Sequence, residues 1–560
     1  MNVKEVQKRL WEQSREQRAN RESDRPLFPV NPYEKRVRNL MDLMHNPDWL
    51  QAAMQRTLER SKGKSPGVDC VTVQKFTRRG LKQKFEQLRL ELKNGTYRPK
   101  PLKRVMIPKA NGKMRPLGIP CLRDKIVQEA IRMALEPIFE VEFHDNSYGF
   151  RPNRRAHHAV FRRQQMMKHG FTWVIEGDVK ACFDEISHKA ILGAVREKVM
   201  DNKFLDLISL FLKAGYMEEG IFHPTDKGVP QGGIVSPLLA NAVLNKLDWF
   251  LQSKALTGRE QYKAAAERRP NLRFARYADD WVVFLTRTNK HYAEALKEEI
   301  RMFLETTCGL QLSVEKTKVT HVRDGFDFLG FHLQSGIGQK GTFVPKITVG
   351  QKANTNIRQR LNEAIRLRPA QESIAARLGR ANSVIHGWSN YFKIADDFCD
   401  VAGTLDHIAH WTMVKAICRK FDIPTGTCMK RFYYNGRIGV SPDRRIAWFS
   451  DTKMVKDYRA PLVYEPGNGE YETDDDMEAD FHVREKYRPG SMDWKILILR
   501  RDRYYCQQCG RKVTAETSHL DHIKPVSEHP SFREATSHEN VQILCLNCHK
   551  AKTYGKSTKF

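Results

Sequence analysis

Apolar residues recur along this chain with two different periods. They return every three or four positions across residues 1–66, again across 127–138, and in an arginine-rich region from about 350 to 420. That spacing is typical of amphipathic helices. The stretches between them contain short apolar runs of four to six residues, which favour strands. The pattern therefore predicts a mixed chain with helices at both sides of a strand-rich middle.

Four of the short runs define the predicted sheet regions. Val105–Pro108 and Arg115–Ile119 flank a turn and predict a hairpin, Thr172–Gly177 predicts a strand, and Phe326–Phe331 predicts one more. Helical segments separate these runs. The mixed order predicts an α+β palm in which helices cover one face of an antiparallel sheet.

Three aspartates lie where these runs end or turn. Asp178 follows the strand 172–177, whereas Asp279 and Asp280 lie between apolar flanks at 274–276 and 281–285. Like charges so close repel each other unless a cation lies between them, and Mg²⁺ prefers oxygen ligands. We predict that the three carboxylates bind two Mg²⁺ ions roughly 3.5–4 Å apart. A solvated turn is the alternative, which the strand-like flanks disfavour.

The charge and the cysteines narrow the class of protein. The 560 residues include 95 Lys+Arg against 66 Asp+Glu, a net charge of +29, which predicts attraction to a polyanion rather than a merely basic surface. Neither a signal peptide nor a membrane-spanning apolar run is evident, so we expect no membrane partner and a cytoplasmic location, with an organellar one as the alternative. The odd count of 11 cysteines does not suggest a secreted disulfide framework.

Four of the cysteines form two Cys-x-x-Cys pairs, Cys506 with Cys509 and Cys545 with Cys548. This spacing predicts a closed tetrahedral Zn²⁺ site with a structural role. Redox-active cysteines are the alternative.

Several motifs occur in an order that resembles reverse transcriptases, specifically the reverse transcriptase/maturase proteins encoded by mobile group II introns. One such motif would be weak, but five in the family's order are specific. They are Ile107-Pro108-Lys109 with Arg115 to Pro120, Ser147-Tyr148-Gly149-Phe150-Arg151-Pro152, Asp178 with Phe183-Asp184, Gly228 to Gly233 with Ser236 to Asn241, and Tyr277-Ala278-Asp279-Asp280.

The resemblance implies roles for four more residues. Lys109 and Arg115, on opposite arms of the predicted hairpin, would grip the triphosphate of an incoming dNTP. Phe183 would lie under its sugar and exclude a 2′-hydroxyl, although ordinary core packing is the alternative. Gln231 would contact the same nucleotide.

The region after residue 346 resembles the thumb, or X domain, of intron maturases. Its Gly387-Trp388 and Tyr391-Phe392 match the family's segment, and the rings at helical spacing predict helix core rather than stacking on bases. Residues 422–485 correspond by position and composition to the family's DNA-binding segment.

The C-terminal motif resembles the ββα-metal, or HNH, endonucleases. That likeness implies His522 as the general base, Asn540 as the residue that orients its loop, and one catalytic Mg²⁺-like ion held by Asp521 and His549. A zinc ribbon that binds DNA without cutting it is the alternative.

The expected architecture is therefore a multidomain α+β protein with right-hand-like fingers and palm, a helical thumb and a small HNH domain. The boundaries are 1–66 for a helical N-terminal extension, 67–345 for fingers and palm, 346–421 for the thumb, 422–485 for the DNA-binding segment with an acidic linker, and 486–560 for the nuclease.

The expected function is copying of an intron RNA into DNA, with assistance to splicing and nicking of a target DNA. The partners are then group II intron RNA, target DNA and dNTPs. A reverse transcriptase of the defence or retron type, an RNA-binding splicing factor with inactive sites, and a stand-alone HNH nuclease are the rivals. Each of them leaves part of the motif set unexplained.

Overall fold

The computed structural model forms two compact units, Met1–Asn468 and Gly469–Phe560. It describes residues 1–22, 36–60, 65–78, 80–108, 114–337, 343–366, 371–455, 501–502, 504–515, 517–523 and 540–554, with the single positions 464, 466, 495, 498 and 499.

Helices occur throughout the described residues, in the strand-rich middle of the chain as well as at both sides of it. They are α1 (Val3–Glu22), α2 (Leu40–Met44), α3 (Pro47–Arg60), α4 (Val73–Arg78), α5 (Leu81–Asn94), α6 (Leu122–Glu142), α7 (Ala156–Lys168), α8 (Cys182–Glu185), α9 (His188–Arg196), α10 (Asn202–Leu212), α11 (Ser236–Lys254), α12 (Gly258–Ala266), α13 (Lys290–Phe303), α14 (Gln351–Ile365), α15 (Ile374–Phe392), α16 (Phe398–Phe421), α17 (Thr425–Phe432) and α18 (Leu546–Tyr554).

The strands form five small sheets within the described residues. They are β1 (Leu102–Pro108), β2 (Met114–Ile119), β3 (Trp173–Asp178), β4 (Tyr216–Glu218), β5 (Ile221–His223), β6 (Asn271–Tyr277), β7 (Asp280–Thr286), β8 (Lys318–His321), β9 (Phe326–Phe328), β10 (Phe331–Ile337), β11 (Phe343–Val349), β12 (Tyr433–Tyr434), β13 (Arg437–Ser441), β14 (Arg444–Arg445), β15 (Ser518–His522) and β16 (Val541–Cys545).

The central sheet has the strand order β6-β7-β3-β8, and its strands pair antiparallel. Val283 and Leu285 point into one core with α6 and α11, whereas Val282 and Phe284 point into a second core with α7 and the helices after 350. The prediction of helices on one face only is therefore wrong. Consecutive residues of a strand alternate faces, and both faces of β7 are apolar and buried.

The predicted single strand Phe326–Phe331 is also wrong, because the chain reverses inside it. Leu329 and Gly330 have φ values of 47° and 83°, and Phe328 pairs with Phe331 across them. Two consecutive left-handed residues make the tight hairpin turn whose twist suits antiparallel strands.

The helices after residue 350 share their core with the segment that follows them. Leu378 and Ile385 of α15 lie in the same buried cluster as Ile438, Ile446 and Phe449. The predicted helix-core role of Trp388 agrees, since its ring packs against Phe392, Phe398 and Phe449. The boundary at 421/422 stays a prediction, although packing continues across it.

The second unit has a ββα core in its described part, with β15 and β16 antiparallel and α18 directly after β16. In the described parts of both units, no helix combines the length and apolarity needed to cross a bilayer.

Candidate active sites

Three aspartates lie at one end of the central sheet. Asp178 is the last residue of β3 and is paired in register with Asp280, the first residue of β7. Asp279 precedes it in a turn that begins with Ala278, whose φ is 56°. Register partners on antiparallel strands hold their Cβ atoms about 4.5–5.5 Å apart. The fold thus brings together residues a hundred positions apart, as the sequence predicts.

The carboxyls repel one another. Burial raises the pKa of Asp280 to about 7, with the negative charges of Asp279 and Asp178 and a hydrogen bond with Asp178 adding to the effect. Burial and then Asp178 also raise the pKa of Asp279. A site that penalises negative charge in this way is one that a cation would stabilise.

One cation of the chain already lies there. Lys316 Nζ donates to Asp178 Oδ2 at 2.7 Å, and this hydrogen bond raises the pKa of Lys316. The sequence interpretation missed Lys316. No local signal marks Lys316: Glu176 pairs with Lys318 on β8, and this antiparallel register carries Lys316 alongside Asp178.

The donor set fits divalent ions. Three carboxylates supply the oxygen ligands that Mg²⁺ prefers, and burial together with neighbouring negative charge raises the pKa values of Asp279 and Asp280. They do not form a closed ligand group in this arrangement. In the described parts of the chain, the four cysteines form the only group of three or more such side chains within 4.8 Å of one another.

A buried hydrogen-bond network supports the turn that bears the aspartates. The Arg276 guanidinium donates to Asp248 Oδ1 and Oδ2 at 2.8 and 2.6 Å, to Asn241 Oδ1 at 2.8 Å, to Ser147 Oγ at 2.8 Å and to the Ala278 carbonyl at 2.8 Å. Arg276 and Asp248 are both fully buried. The network joins three of the motifs, and the sequence interpretation assigned no role to Arg276 or Asp248.

The predicted nucleotide residues lie next to this site. Arg115 Nε, on β2, donates to Gln231 Oε1 at 2.8 Å, and Gln231 Nε2 donates to Asp184 Oδ2 at 2.9 Å. Phe183 is half-buried on α8, against the first core. Asp184 is a further residue that the sequence interpretation quoted without a role, and Lys109 lies outside the described residues.

In the second unit, Cys506, Cys509, Cys545 and Cys548 come within 4.8 Å of one another. Burial opposes ionisation of Cys506, but backbone N–H groups of the cluster and the Cys509 thiol lower its pKa to about 6. The four sulfurs fit the tetrahedral Zn²⁺ site that their spacing predicts.

The predicted nuclease residues lie on or next to the paired strands β15 and β16 and on α18. His522 ends β15, and no described group hydrogen-bonds to its buried Nε2. The Asn540 carbonyl accepts from Ile523 N at 2.7 Å, which ties the residue after His522 to the start of β16. Asp521 Oδ2 accepts from Lys552 Nζ at 2.5 Å and Gln542 Nε2 at 3.1 Å.

The structure adds a histidine that the sequence interpretation missed. The His549 ring, on α18, stacks on His519 with the centroids 4.7 Å apart. His519 precedes Asp521 by two positions and so lies on the same face of β15. That spacing was the available signal.

Family models match three parts of the chain. A model for reverse transcriptase (RNA-dependent DNA polymerase) matches residues 107–333, one for the group II intron maturase-specific domain matches 354–433, and one for HNH endonuclease matches 506–555. They cover the palm site, the helical region and the unit with the four clustered cysteines, and they confirm the resemblance seen in the motifs.

Relatives span most of the chain. Protein YkfC of Escherichia coli is 42% identical over 319 residues, which cover 53% of this chain and 83% of that protein. Group II intron-encoded protein LtrA of Lactococcus lactis is 28% identical over 584 residues, covering 90% and 94%. A putative COX1/OXI3 intron 1 protein of Saccharomyces cerevisiae is 28% identical over 480 residues, covering 73% and 56%.

Proposed function

The chain belongs to the group II intron-encoded reverse transcriptases that carry maturase and HNH endonuclease domains, and on this premise we propose which of its residues perform each activity. It is an RNA-directed DNA polymerase, a maturase and an endonuclease. The observation that carries the proposal is the alignment of Asp178 with Asp280 on neighbouring strands, with Asp279 beside them.

Polymerisation takes place at these three carboxylates. Two bound Mg²⁺ ions would lower the pKa of the primer 3′-hydroxyl and stabilise charge on the departing pyrophosphate. Asp178, Asp279 and Asp280 supply their oxygen ligands, and Arg276 fixes the turn that presents two of the three. Lys316 balances Asp178 until the metal ions bind.

Nucleotide binding is the role of the residues beside the aspartates. Arg115 pairs with the triphosphate together with Lys109, Phe183 supports the sugar, and Gln231 contacts the nucleotide. Asp184 orients the Gln231 amide, because its carboxylate accepts from Nε2 and leaves Oε1 toward Arg115.

The C-terminal unit nicks one strand of target DNA to prime copying. His522 accepts a proton from water through its nitrogen, Asn540 fixes the loop after it, and Asp521 with His549 holds one divalent ion. Zn²⁺ at Cys506, Cys509, Cys545 and Cys548 has a structural role.

The helical region binds the group II intron RNA and assists its splicing. The exposed Arg358 and Arg360 of α14 provide a basic surface that follows phosphates. The proposed domains divide after residues 66, 345, 421 and 485. Residues 422–485 contact the target DNA. We assign the protein to a bacterial cytoplasm, since the relatives from Escherichia coli and Lactococcus lactis are matched over most of their own lengths.

Single-residue variants of the full chain test the two sites separately. Asp279→Asn should reduce primer extension on an RNA template about a thousandfold or more, because it removes one ligand of the Mg²⁺ ions that would stabilise the transition state. The affinity for RNA should be unchanged. Asp324→Asn, which makes the same change at an exposed turn, is the control. Undiminished extension by Asp279→Asn would remove Asp279 from the metal site.

His522→Ala should leave zinc uptake and extension unchanged and abolish cutting of target DNA. Unchanged cutting would contradict its assignment as the general base.

A further inference from the structure

Phe150 has a conformation that a bulky side chain rarely adopts. Its φ is 57°, in the left-handed region, and its side chain is 58% exposed. Residues with a Cβ are strained in this region, and a large exposed ring recovers little through burial. Such strain persists where the surroundings determine it, and it is concentrated at functional sites.

The neighbours of Phe150 determine its backbone. A Cβ at Gly149 would come within 2.3 Å of Ala278 N, so this backbone lies directly against the aspartate turn. Asn241 Nδ2 donates to the Gly149 carbonyl at 2.8 Å. On the other side, the buried Arg151 donates to Glu140 and to main-chain carbonyls. With both neighbours fixed, residue 150 must reverse the chain between them.

The strained backbone directs the ring to a specific place. The Phe150 ring packs edge-on against Phe183, with the centroids 6.1 Å apart and the planes at 85°. Phe183 follows Asp178 by five residues, and Gly149 abuts the turn that bears Asp279. The ring pair thus connects the two segments that supply the metal-binding carboxylates.

We propose that Phe150 is a specificity-determining residue, which forms with Phe183 a two-ring apolar wall for the sugar of the incoming nucleotide. The proposal rests on the assignment of Phe183 to that sugar. One ring can rotate away from a 2′-hydroxyl, but a second ring against its edge limits that movement. A hydroxyl forced against two apolar rings also loses its water without gaining a partner.

Phe150→Gly isolates the contribution of the ring. Glycine adopts a positive φ freely, so this variant removes the ring and the strain together and should fold at least as stably as the parent. We expect its preference for dNTP over rNTP, measured as the ratio of kcat/KM in single-nucleotide extension, to fall about tenfold, within the range for pocket discrimination. The KM for dNTP should rise, and Phe150→Tyr should restore both.

Controls separate the possible outcomes. Asn153→Gly, at φ 60° in the same segment, removes no ring and should change neither quantity. An unchanged ratio in Phe150→Gly, with a lowered ratio in Phe183→Ala, overturns this inference and leaves the proposed function intact. An unchanged ratio in Phe183→Ala overturns the sugar assignment and the inference with it. Weaker primer binding with an unchanged dNTP/rNTP ratio would indicate that the Phe150 ring contacts the primer sugar instead. That result would also overturn this inference.

Discussion

The two units of this protein differ in what holds their proposed metal-binding residues in place. The palm aspartates lie on a sheet whose two faces each enter a large core, and Arg276 adds a fully buried hydrogen-bond network. The described part of the C-terminal unit has one small cluster of eight buried hydrophobic residues, and two of these are the cysteines Cys506 and Cys545. Packing holds the palm residues in place, whereas the C-terminal unit would also need metal binding by its cysteine sulfurs.

This difference separates two uses of a cation. In the palm, packing has already aligned the carboxylates, so divalent ions would add chemistry rather than structure. In the C-terminal unit, zinc at the four cysteines would be part of the folded structure, because a cluster so small supplies little burial free energy. The palm site and the proposed nuclease site share one feature, since a lysine pairs with a proposed ligand in each: Lys316 with Asp178 and Lys552 with Asp521.

Removing the zinc should have the largest effect and should be confined to one unit. Cys545→Ser should unfold the C-terminal unit, since structural zinc contributes on the order of 10 kcal/mol. Primer extension should persist, because the palm has its own cores. Proteolysis coupled to extension assays measures both, and Cys70→Ser, at an exposed cysteine of the first unit, is the control. A C-terminal unit that stays folded without zinc would contradict the comparison.

Breaking the Arg276 network should destabilise the palm without any metal being involved. Asp248→Asn leaves a buried guanidinium without its counter-charge, which costs about 3–5 kcal/mol. Denaturant unfolding in EDTA measures the loss.

The double variant Asp248→Leu with Arg276→Met separates stability from positioning. Two apolar side chains should recover most of the free energy of unfolding. Extension should stay impaired, because the Ala278 carbonyl loses its donor. Full recovery of extension would show that the Arg276 network contributes to the fold through packing alone and does not position the aspartate turn.

The local pattern of apolar and polar residues was sufficient to predict the palm strands that carry the aspartates. The strand ending at Asp178 and the hairpin around Asp279 follow from apolar runs with polar ends, and the register confirms their alignment. The Phe326–Phe331 error arose because Leu329-Gly330 lacks the Asn-Gly or Asp-Gly signal of a two-residue turn.

Long-range pairing was not readable from the sequence. Lys316 contacts Asp178 only through the β3–β8 register, and Arg276 reaches Asp248 only because α11 packs against the sheet. Neither partner in such a pair carries a local signal, so composition and spacing leave these contacts undetermined.

The raised pKa of Asp280 predicts that the free energy of unfolding of the palm depends on pH, independently of the zinc site in the other unit. Its pKa is about 7 in the fold and ordinarily 3.8, so the folded protein without metal retains a proton that the unfolded chain has lost. The resulting stability is fully present below pH 4 and is lost as pH rises through 7, by about 2 kcal/mol after allowance for solvent screening.

The test is to measure the free energy of unfolding in EDTA from pH 4 to 8 for the wild type and for Asp280→Asn. The difference between the two proteins should vary with pH. The Mg²⁺ concentration for half-maximal extension should also rise below pH 7, because binding must displace the proton. A difference that does not vary with pH would contradict the raised pKa.

The smallest effects should come from the two lysines, and they compare the sites directly. Lys316→Met should change the free energy of unfolding by less than about 1 kcal/mol, since an ion pair with a solvent-exposed lysine contributes little. The Mg²⁺ concentration for half-maximal extension should fall severalfold, because a competing cation has gone from Asp178. Lys552→Met should likewise lower the divalent-ion requirement for cutting. Lys203→Met, at an exposed position on α10, is the control. A raised metal requirement in both variants would show that each lysine orients its aspartate for the ion instead of competing with it.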